Sequence, residues 1–158
     1  MQLKNIIQED FSNYKVCSMF IGFPSCTWKC ERDCGRKGLC QNAALAKSPS
    51  VEISADEIVD LYLANSLSHA LVCGGLEPFD SWSELFDLVT RFRAKTDDPI
   101  IIFTGYNKTE IAHKVLSLAS FKNIIIKFGR FVPDQEAHYD EILGIFLASQ
   151  NQYAERIS

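Results

Sequence analysis

The fold is decided by the apolar run His69-Ala70-Leu71-Val72-Cys73, which stops at the pair Gly74-Gly75. A short apolar run closed by glycines is typical of a buried strand that enters a tight turn. Two later runs have the same form and are apolar at successive rather than alternate positions: Pro99-Ile100-Ile101-Ile102-Phe103-Thr104 and Asn123-Ile124-Ile125-Ile126-Lys127. Because strands of this kind are buried on both faces, the three runs predict a parallel sheet.

Helical patterns separate these strands. Ser54-Ala55-Asp56-Glu57 has the sequence of a capping box, which predicts a helix from Ala55 to about Asn65. Further helices are expected from about Ser81 to Lys95 and from Lys108 to Leu118, whereas residues 140–148 fit either a final helix or an irregular segment. A first strand is expected within Tyr14–Ile21, followed by a long polar loop over residues 26–49.

Alternating strands and helices within 158 residues predict one α/β domain that spans residues 1–158. Its parallel sheet is expected to be covered on both sides or curved into part of a barrel. In such folds ligands bind at the carboxyl ends of the strands. The segment Thr104-Gly105-Tyr106, the Gly74-Gly75 pair and the cysteine-rich loop all follow strands, so we expect them to meet at one edge.

Composition and charge exclude several classes of protein. Sixteen Lys and Arg residues against twenty Asp and Glu residues give a net charge of −4, which argues against a nucleic-acid partner and against a membrane-surface protein. No apolar run is long enough to cross a bilayer. The first ten residues lack the apolar segment of a secretory signal, so we expect a cytoplasmic protein.

Four of the six cysteines fall between Cys26 and Cys40, and such a cluster favours metal binding over a disulfide framework in a chain without an export signal. Structural zinc sites usually pair their cysteines with two residues between them. Here the spacings are three and five residues, which favours an iron–sulfur cluster, although the spacing alone leaves zinc open.

The surroundings of the cysteines carry a family resemblance. Cys26-x3-Cys30 together with Leu39-Cys40-Gln41-Asn42 resembles the cluster loop of radical S-adenosylmethionine enzymes, and of glycyl-radical-enzyme activases in particular. The resemblance implies a [4Fe–4S] cluster held by Cys26, Cys30 and Cys40, with Cys34 as the alternative third ligand. Neither choice reproduces the two-residue spacing that is usual before the third cysteine of that family.

Four further motifs follow in the order found in activating proteins of anaerobic ribonucleotide reductase, and the resemblance covers about residues 15–157. They are Cys73-Gly74-Gly75-Leu76-Glu77-Pro78-Phe79, Ile102-Phe103-Thr104-Gly105-Tyr106, Gly129-Arg130-Phe131 and Ala148-Ser149-Gln150-Asn151-Gln152. The resemblance implies a partial (βα) barrel of the radical S-adenosylmethionine type. It also implies S-adenosylmethionine as a second cofactor.

Roles for the cofactor-binding residues follow from that resemblance. Gly74 and Gly75 are expected to let the backbone approach the methionine moiety, because glycine has no Cβ. Glu77 is expected to accept hydrogen bonds from its ammonium group. Thr104 is expected either to contact S-adenosylmethionine or to cap the segment that follows it.

The implied function is that of an activase, which cleaves S-adenosylmethionine reductively and generates a glycyl radical on a partner enzyme. The expected partner is anaerobic ribonucleotide reductase, with flavodoxin or ferredoxin as electron donor, and Gly129–Gln152 is expected to flank the docking face. Two alternatives stay open. One is a radical S-adenosylmethionine enzyme that acts on another protein, a peptide or a small molecule, and the other is a non-catalytic zinc or iron–sulfur binding module.

Overall fold

A computed structural model describes the whole chain, Met1–Ser158. Its ten strands are β1 (Gln2–Leu3), β2 (Asn5–Asp10), β3 (Ser18–Phe23), β4 (Val51–Glu52), β5 (Leu71–Gly75), β6 (Ile100–Phe103), β7 (Ile124–Phe128), β8 (His138–Asp140), β9 (Ile145–Leu147) and β10 (Tyr153–Arg156). Its five α-helices are α1 (Lys29–Cys34), α2 (Ala43–Lys47), α3 (Ala55–Ala64), α4 (Trp82–Arg93) and α5 (Ala112–Leu118). Two 3-10 helices, Pro78–Ser81 and Lys108–Ile111, precede α4 and α5. No helix has the length and apolar character needed to span a membrane.

Six strands form the central sheet in the order β10-β7-β6-β5-β3-β2. The four inner strands run parallel, and the three apolar runs of the sequence supply β5, β6 and β7. Both edges are antiparallel, since β2 pairs with β3 and β10 pairs with β7. The sheet is therefore mixed and open, with two different edge strands.

The two faces of the sheet are covered by different structures. One face packs against α3, α4 and α5 and forms a core of 23 buried residues, in which β5 contributes Leu71 and Cys73. The other face forms a core of nine buried residues, in which β5 contributes Val72. That second face is covered by Tyr14 and by Leu143 and Leu147 of the β8–β9 region rather than by helices.

The predicted fold class is therefore wrong in its architecture. The chain is a small mixed α/β protein with a six-stranded mixed sheet, not a parallel curved partial barrel of the radical S-adenosylmethionine type. Apolar runs do report burial on both faces, which the structure confirms, but they do not tell what covers each face. The edge strands β2 and β10 are half-exposed and polar, so they lacked the apolar signal on which the prediction relied.

Several predicted elements are confirmed. The helix α3 begins at the predicted capping box, in which Glu57 N–H donates to Ser54 Oγ and Ser54 N–H donates to the Glu57 carboxylate. Two segments differ from the prediction. The expected loop over residues 26–49 contains α1 and α2, and residues 140–148 contribute to the β8–β9 hairpin instead of a helix.

Candidate metal centre

A cavity of about 300 Å³ opens beside the carboxyl ends of β5, β6 and β7, at the edge where the sequence placed the ligand site. Its volume lies at the lower end of the range for small-molecule and cofactor pockets. Three thiols line the cavity, those of Cys26, Cys30 and Cys40, whereas Cys34 does not. The structure thus brings together the three residues predicted as ligands, and their ligand role stays a prediction.

The loop that carries Cys26 is attached to the turn after β5 by three hydrogen bonds. Leu76 N–H donates to Phe23 O at 3.3 Å, and Glu77 N–H donates to Ser25 O at 2.8 Å. Thr27 N–H donates to an Asp80 carboxylate oxygen at 2.7 Å. The two loops are therefore positioned as one unit, because each satisfies backbone groups of the other.

Helix α1 carries Cys30 and begins directly after Trp28, whose backbone is left-handed with φ of 56°. The Trp28 N–H donates to Cys26 Sγ at 3.2 Å. No residue of α1 is buried. The helix is instead held by charged contacts, in which Lys29 pairs with Glu110 at 3.2 Å and Asp33 pairs with Arg130 at 2.9 Å.

Cys40 lies in a polar turn that is organised by two side chains. The Glu31 carboxylate accepts from Gly38 N–H at 3.0 Å and from Cys40 N–H at 3.4 Å. Two positions after Cys40, the Asn42 side chain donates to Gly75 O at 2.6 Å. The turn is thereby connected to α1 on one side and to the end of β5 on the other.

Burial controls the protonation of the thiols. Partial burial raises the pKa of Cys26 to about 11, the Trp28 N–H opposes this, and the nearby carboxylates of Glu77 and Asp80 act in the same direction as burial. Burial also raises the pKa of Cys30, while the backbone N–H of Phe131 opposes this. Without a metal these two thiols are protonated at neutral pH, and metal binding has to displace their protons.

The ends of β5 and β6 are joined through the buried carboxylate of Glu77. One carboxylate oxygen accepts from Phe79 N–H at 3.2 Å and from the Thr104 hydroxyl at 2.8 Å. The other oxygen accepts from Gly105 N–H at 2.9 Å. Burial nevertheless raises the pKa of Glu77 to about 7. Both predicted polar residues, Glu77 and Thr104, therefore line the cavity while already bonded to each other.

The two predicted glycines have a packing reason that the sequence did not show. Gly75 has φ of +86°, and a Cβ there would lie 2.8 Å from the Gly22 Cα of the neighbouring strand. A Cβ at Gly74 would lie 2.9 Å from the ring of Phe20. Gly75 lines the cavity and Gly74 does not. Their expected contact with methionine stays a prediction.

Sequence reasoning missed a buried cation in the cavity wall. Lys127 ends the apolar run of β7, is only 9% exposed, and donates to Gly129 O at 3.0 Å. Burial lowers the pKa of Lys127 to about 8. A lysine that closes an otherwise apolar strand was the available signal, since lysine is seldom fully buried without a partner.

Two motifs from the end of the chain contact each other beside the cavity. The Asn151 side chain donates to Arg130 O at 2.8 Å, and the Gln152 side chain donates to Gly129 O at 3.3 Å. Gly129 has φ of +100°, and a Cβ there would lie 2.8 Å from Asn151 O. The segment over residues 148–152 thus fixes the path of the backbone over residues 129–131.

The residues of the site fit an iron–sulfur cluster. Three thiols share one cavity, and that of Cys26 receives a backbone N–H donor, the kind of hydrogen bond that tunes cluster sulfurs. The chain contains no group of three or more His, Cys, Asp or Glu side chains placed to hold a single metal ion. A cluster is several atoms wide, so its thiolates do not converge on one point as the ligands of a single ion do.

A comparison with known families identifies a cluster-binding domain. The model of the 4Fe-4S single cluster domain matches residues 15–153, which is most of the chain. The chain belongs to the 4Fe-4S single cluster domain family. No curated protein and no solved structure matches it.

Membership of the family confirms the predicted [4Fe–4S] cluster and identifies this chain as an iron–sulfur, metal-binding domain. The matched range contains all six cysteines and every residue that lines the cavity apart from Asn13. The family description names one cluster and no second cofactor. The description therefore establishes neither S-adenosylmethionine binding nor a partner enzyme.

Proposed function

We propose that this 4Fe-4S domain holds its cluster through Cys26, Cys30 and Cys40 and uses it to cleave S-adenosylmethionine reductively. One observation carries the proposal. The three thiols open into the same cavity as the carboxyl ends of β5, β6 and β7, and Cys34 lies outside it. Three protein thiolates leave the fourth iron of a [4Fe–4S] cluster without a protein ligand, and the cavity offers space beside it.

The cluster, when bound, supplies the electron that breaks the C5′–S bond of S-adenosylmethionine, which yields methionine and, after uptake of a hydrogen atom, 5′-deoxyadenosine. The chain supplies orientation and exclusion of water. Phe20, Phe103, Phe131 and Leu147 give the cavity an apolar wall. Glu77 and Lys127 add one buried acceptor and one buried donor to that wall, which suit the ammonium and carboxylate groups at the methionine end of the ligand.

The hydrogen atom is proposed to come from a glycine Cα of a partner, with anaerobic ribonucleotide reductase as the first partner to test and flavodoxin or ferredoxin as the electron donor. The motif resemblance supports this choice. The β8–β9 hairpin adds a second argument, because Phe146 lines the cavity and is 71% exposed. Tyr139 packs edge-on against Phe146 and is also exposed, so an apolar surface lies next to the cavity.

The test uses anaerobically reconstituted protein, reduced with dithionite and supplied with S-adenosylmethionine. Chromatography should detect 5′-deoxyadenosine and methionine in equal amounts with the wild type and with Cys34→Ala, and neither product with Cys40→Ala. Addition of the reductase should give a glycyl radical signal in electron paramagnetic resonance, which is lost when the radical glycine of the partner is replaced by alanine. Cleavage of S-adenosylmethionine without that signal would show that the reductase is not the partner, while the proposed cleavage reaction would stand.

A non-catalytic iron–sulfur binding module is the second candidate. The family description supports it directly, because it names a cluster and no substrate. The hydrogen bond between Thr104 and Glu77 also favours it, since these groups stabilise the strand ends whether or not a ligand is present. A reduced cluster whose resonance spectrum does not change with S-adenosylmethionine, and which forms no 5′-deoxyadenosine, would select this candidate.

A further inference from the structure

Four charged side chains surround the outer side of Cys30. The Arg130 guanidinium makes two hydrogen bonds to the Glu110 carboxylate, at 2.6 and 2.9 Å. Its Nε lies 2.9 Å from Asp33, as a charge contact without hydrogen-bond alignment. Lys29 pairs with the same Glu110 at 3.2 Å. Two positive and two negative charges thus form one group, called the charge quartet below.

The charge quartet lies against the predicted cluster ligand. A Cβ built on Gly105 would lie 3.7 Å from Arg130 Cγ and 3.7 Å from Cys30 Sγ, so these two side chains flank the same glycine. Arg130, Lys29 and Cys30 also line one small cavity together with Cys26. The Arg130 side chain is only 13% exposed, and a charge in that position is less screened by water than one at the surface.

We propose that the balance of charges in the quartet beside Cys30 holds the reduction potential of the cluster, so that loss of any one of the four charges shifts that potential. The proposal rests on Cys30 being a cluster ligand, as in the proposed function. Reduction adds one negative charge to a cluster that three thiolates already make anionic. A positive net charge nearby therefore favours the reduced state, and a negative one opposes it, because net charge is a main determinant of cluster potential.

The two halves of the ion pair make opposite predictions. Glu110→Gln leaves the quartet with a net positive charge and should shift the potential to a more positive value. Arg130→Gln leaves a net negative charge and should shift it to a more negative value. Asp33→Asn should act like Glu110→Gln, and Arg130→Lys should restore a potential close to that of the wild type because it keeps the charge.

A purely structural role gives a different pattern. Glu110→Gln removes the contact with Lys29 of α1 and Arg130→Gln removes the contact with Asp33 of α1, so loosening of the helix would move both potentials in one direction or in neither. Ionic strength provides a second criterion. The shift of Asp33→Asn, whose side chain is the most exposed of the four, should shrink most in about 1 M salt, where the Debye length falls to about 3 Å.

The experiment is a redox titration of the reconstituted full chain, followed by electron paramagnetic resonance of the reduced cluster. Arg91→Gln is the matched control. Arg91 lies on the last turn of α4, pairs with Asp56 and Asp87, and lines neither cavity. The potential of this variant should equal that of the wild type. Opposite signs for Glu110→Gln and Arg130→Gln support the proposal, and equal signs or no shift overturn it.

Failure of this inference differs from failure of the proposed function. Unshifted potentials combined with normal formation of 5′-deoxyadenosine would reject the proposed role of the charge quartet and support the proposed enzymatic function. Opposite shifts in a protein that never cleaves S-adenosylmethionine would keep the charge quartet in a non-catalytic iron–sulfur module. If Arg130→Gln does not fold, Lys29→Gln takes its place, because loss of the Lys29 charge also leaves the quartet net negative and should shift the potential to a more negative value.

Discussion

The Thr104 hydroxyl donates a 2.8 Å hydrogen bond to the buried carboxylate of Glu77. This bond joins the end of β6 to the turn after β5, and the Glu77 backbone N–H in turn holds the loop before Cys26 through Ser25 O. The ligand loop and the two strand ends thus meet at one residue, which holds the loop through its backbone N–H and the strand ends through its carboxylate. Changes at Glu77 are expected to affect both the fold and the site.

Cysteine variants test the ligand set. Cys26→Ala, Cys30→Ala and Cys40→Ala should each lose most of the iron and sulfide of reconstituted protein, because a missing thiolate removes a cluster ligand. Cys34→Ala should keep the wild-type content, since Cys34 lies outside the cavity. Iron and sulfide analysis with the visible absorption spectrum measures this. Full iron and sulfide content in Cys40→Ala, together with loss of both in Cys34→Ala, would show that Cys34 and not Cys40 is the third ligand.

Gly105→Ala tests the space next to Cys30. The added methyl group would make ordinary contacts of 3.6 Å with Glu77 and 3.7 Å with Cys30 Sγ, so the metal-free fold should be retained. The same methyl group would occupy room that cluster sulfide or iron needs beside that thiolate. We expect reduced iron content with an unchanged urea midpoint of the metal-free chain. Normal iron content would show that the cluster lies away from Gly105.

Gly75→Ala tests the close approach of β5 to β3. The left-handed backbone costs an alanine about 1–2 kcal/mol, and overpacking adds about 1–3 kcal/mol. The new Cβ would lie 2.8 Å from Gly22 Cα. Gly35→Ala is the control, because Gly35 has φ of +64° and nothing within 4 Å of its Cβ position. Urea unfolding should show a clearly larger loss of stability for Gly75→Ala than for Gly35→Ala.

The stability of the metal-free chain should depend on pH through Glu77. Burial raises the pKa of Glu77 from 4.5 to about 7, so the folded state binds this proton more tightly than the unfolded state does. The stabilising contribution is complete below about pH 4.5 and is lost as the pH rises through about 7. By linkage the loss amounts to about 3 kcal/mol.

Glu77→Gln isolates that contribution, because glutamine does not titrate. The variant should be less stable than the wild type at about pH 5, where its amide group meets the Gly105 N–H and leaves a donor unpaired, at a cost of about 1–3 kcal/mol. Between about pH 5 and 7.5 its urea midpoint should change less than that of the wild type. Parallel profiles of urea midpoint against pH for the two proteins would show that Glu77 is not the group responsible for the pH dependence.

Much of the secondary structure was predictable from local pattern. Continuous apolar runs identified β5, β6 and β7, and the capping box located the start of α3, because burial and capping are encoded within a few adjacent residues. The edge strands β2 and β10 were missed, because their half-exposed residues show neither a continuous apolar run nor a clean alternation. The mixed character of the sheet follows from those two strands, so the fold class was wrong.

The residue types of the site were likewise visible in the sequence, since four cysteines within fifteen positions imply metal chemistry in a chain of this composition. The family resemblance favoured Cys40 over Cys34 as the third ligand, whereas the spacing alone left both open. Cys40 reaches the cavity because Glu31 and Asn42 hold its turn, whereas Cys34 ends α1 outside the cavity. These contacts join segments far apart in the chain, as do those between Arg130, Glu110 and Asp33. Spacing along a chain encodes local geometry, and only tertiary packing decides which thiols line the same cavity and which charges lie beside them.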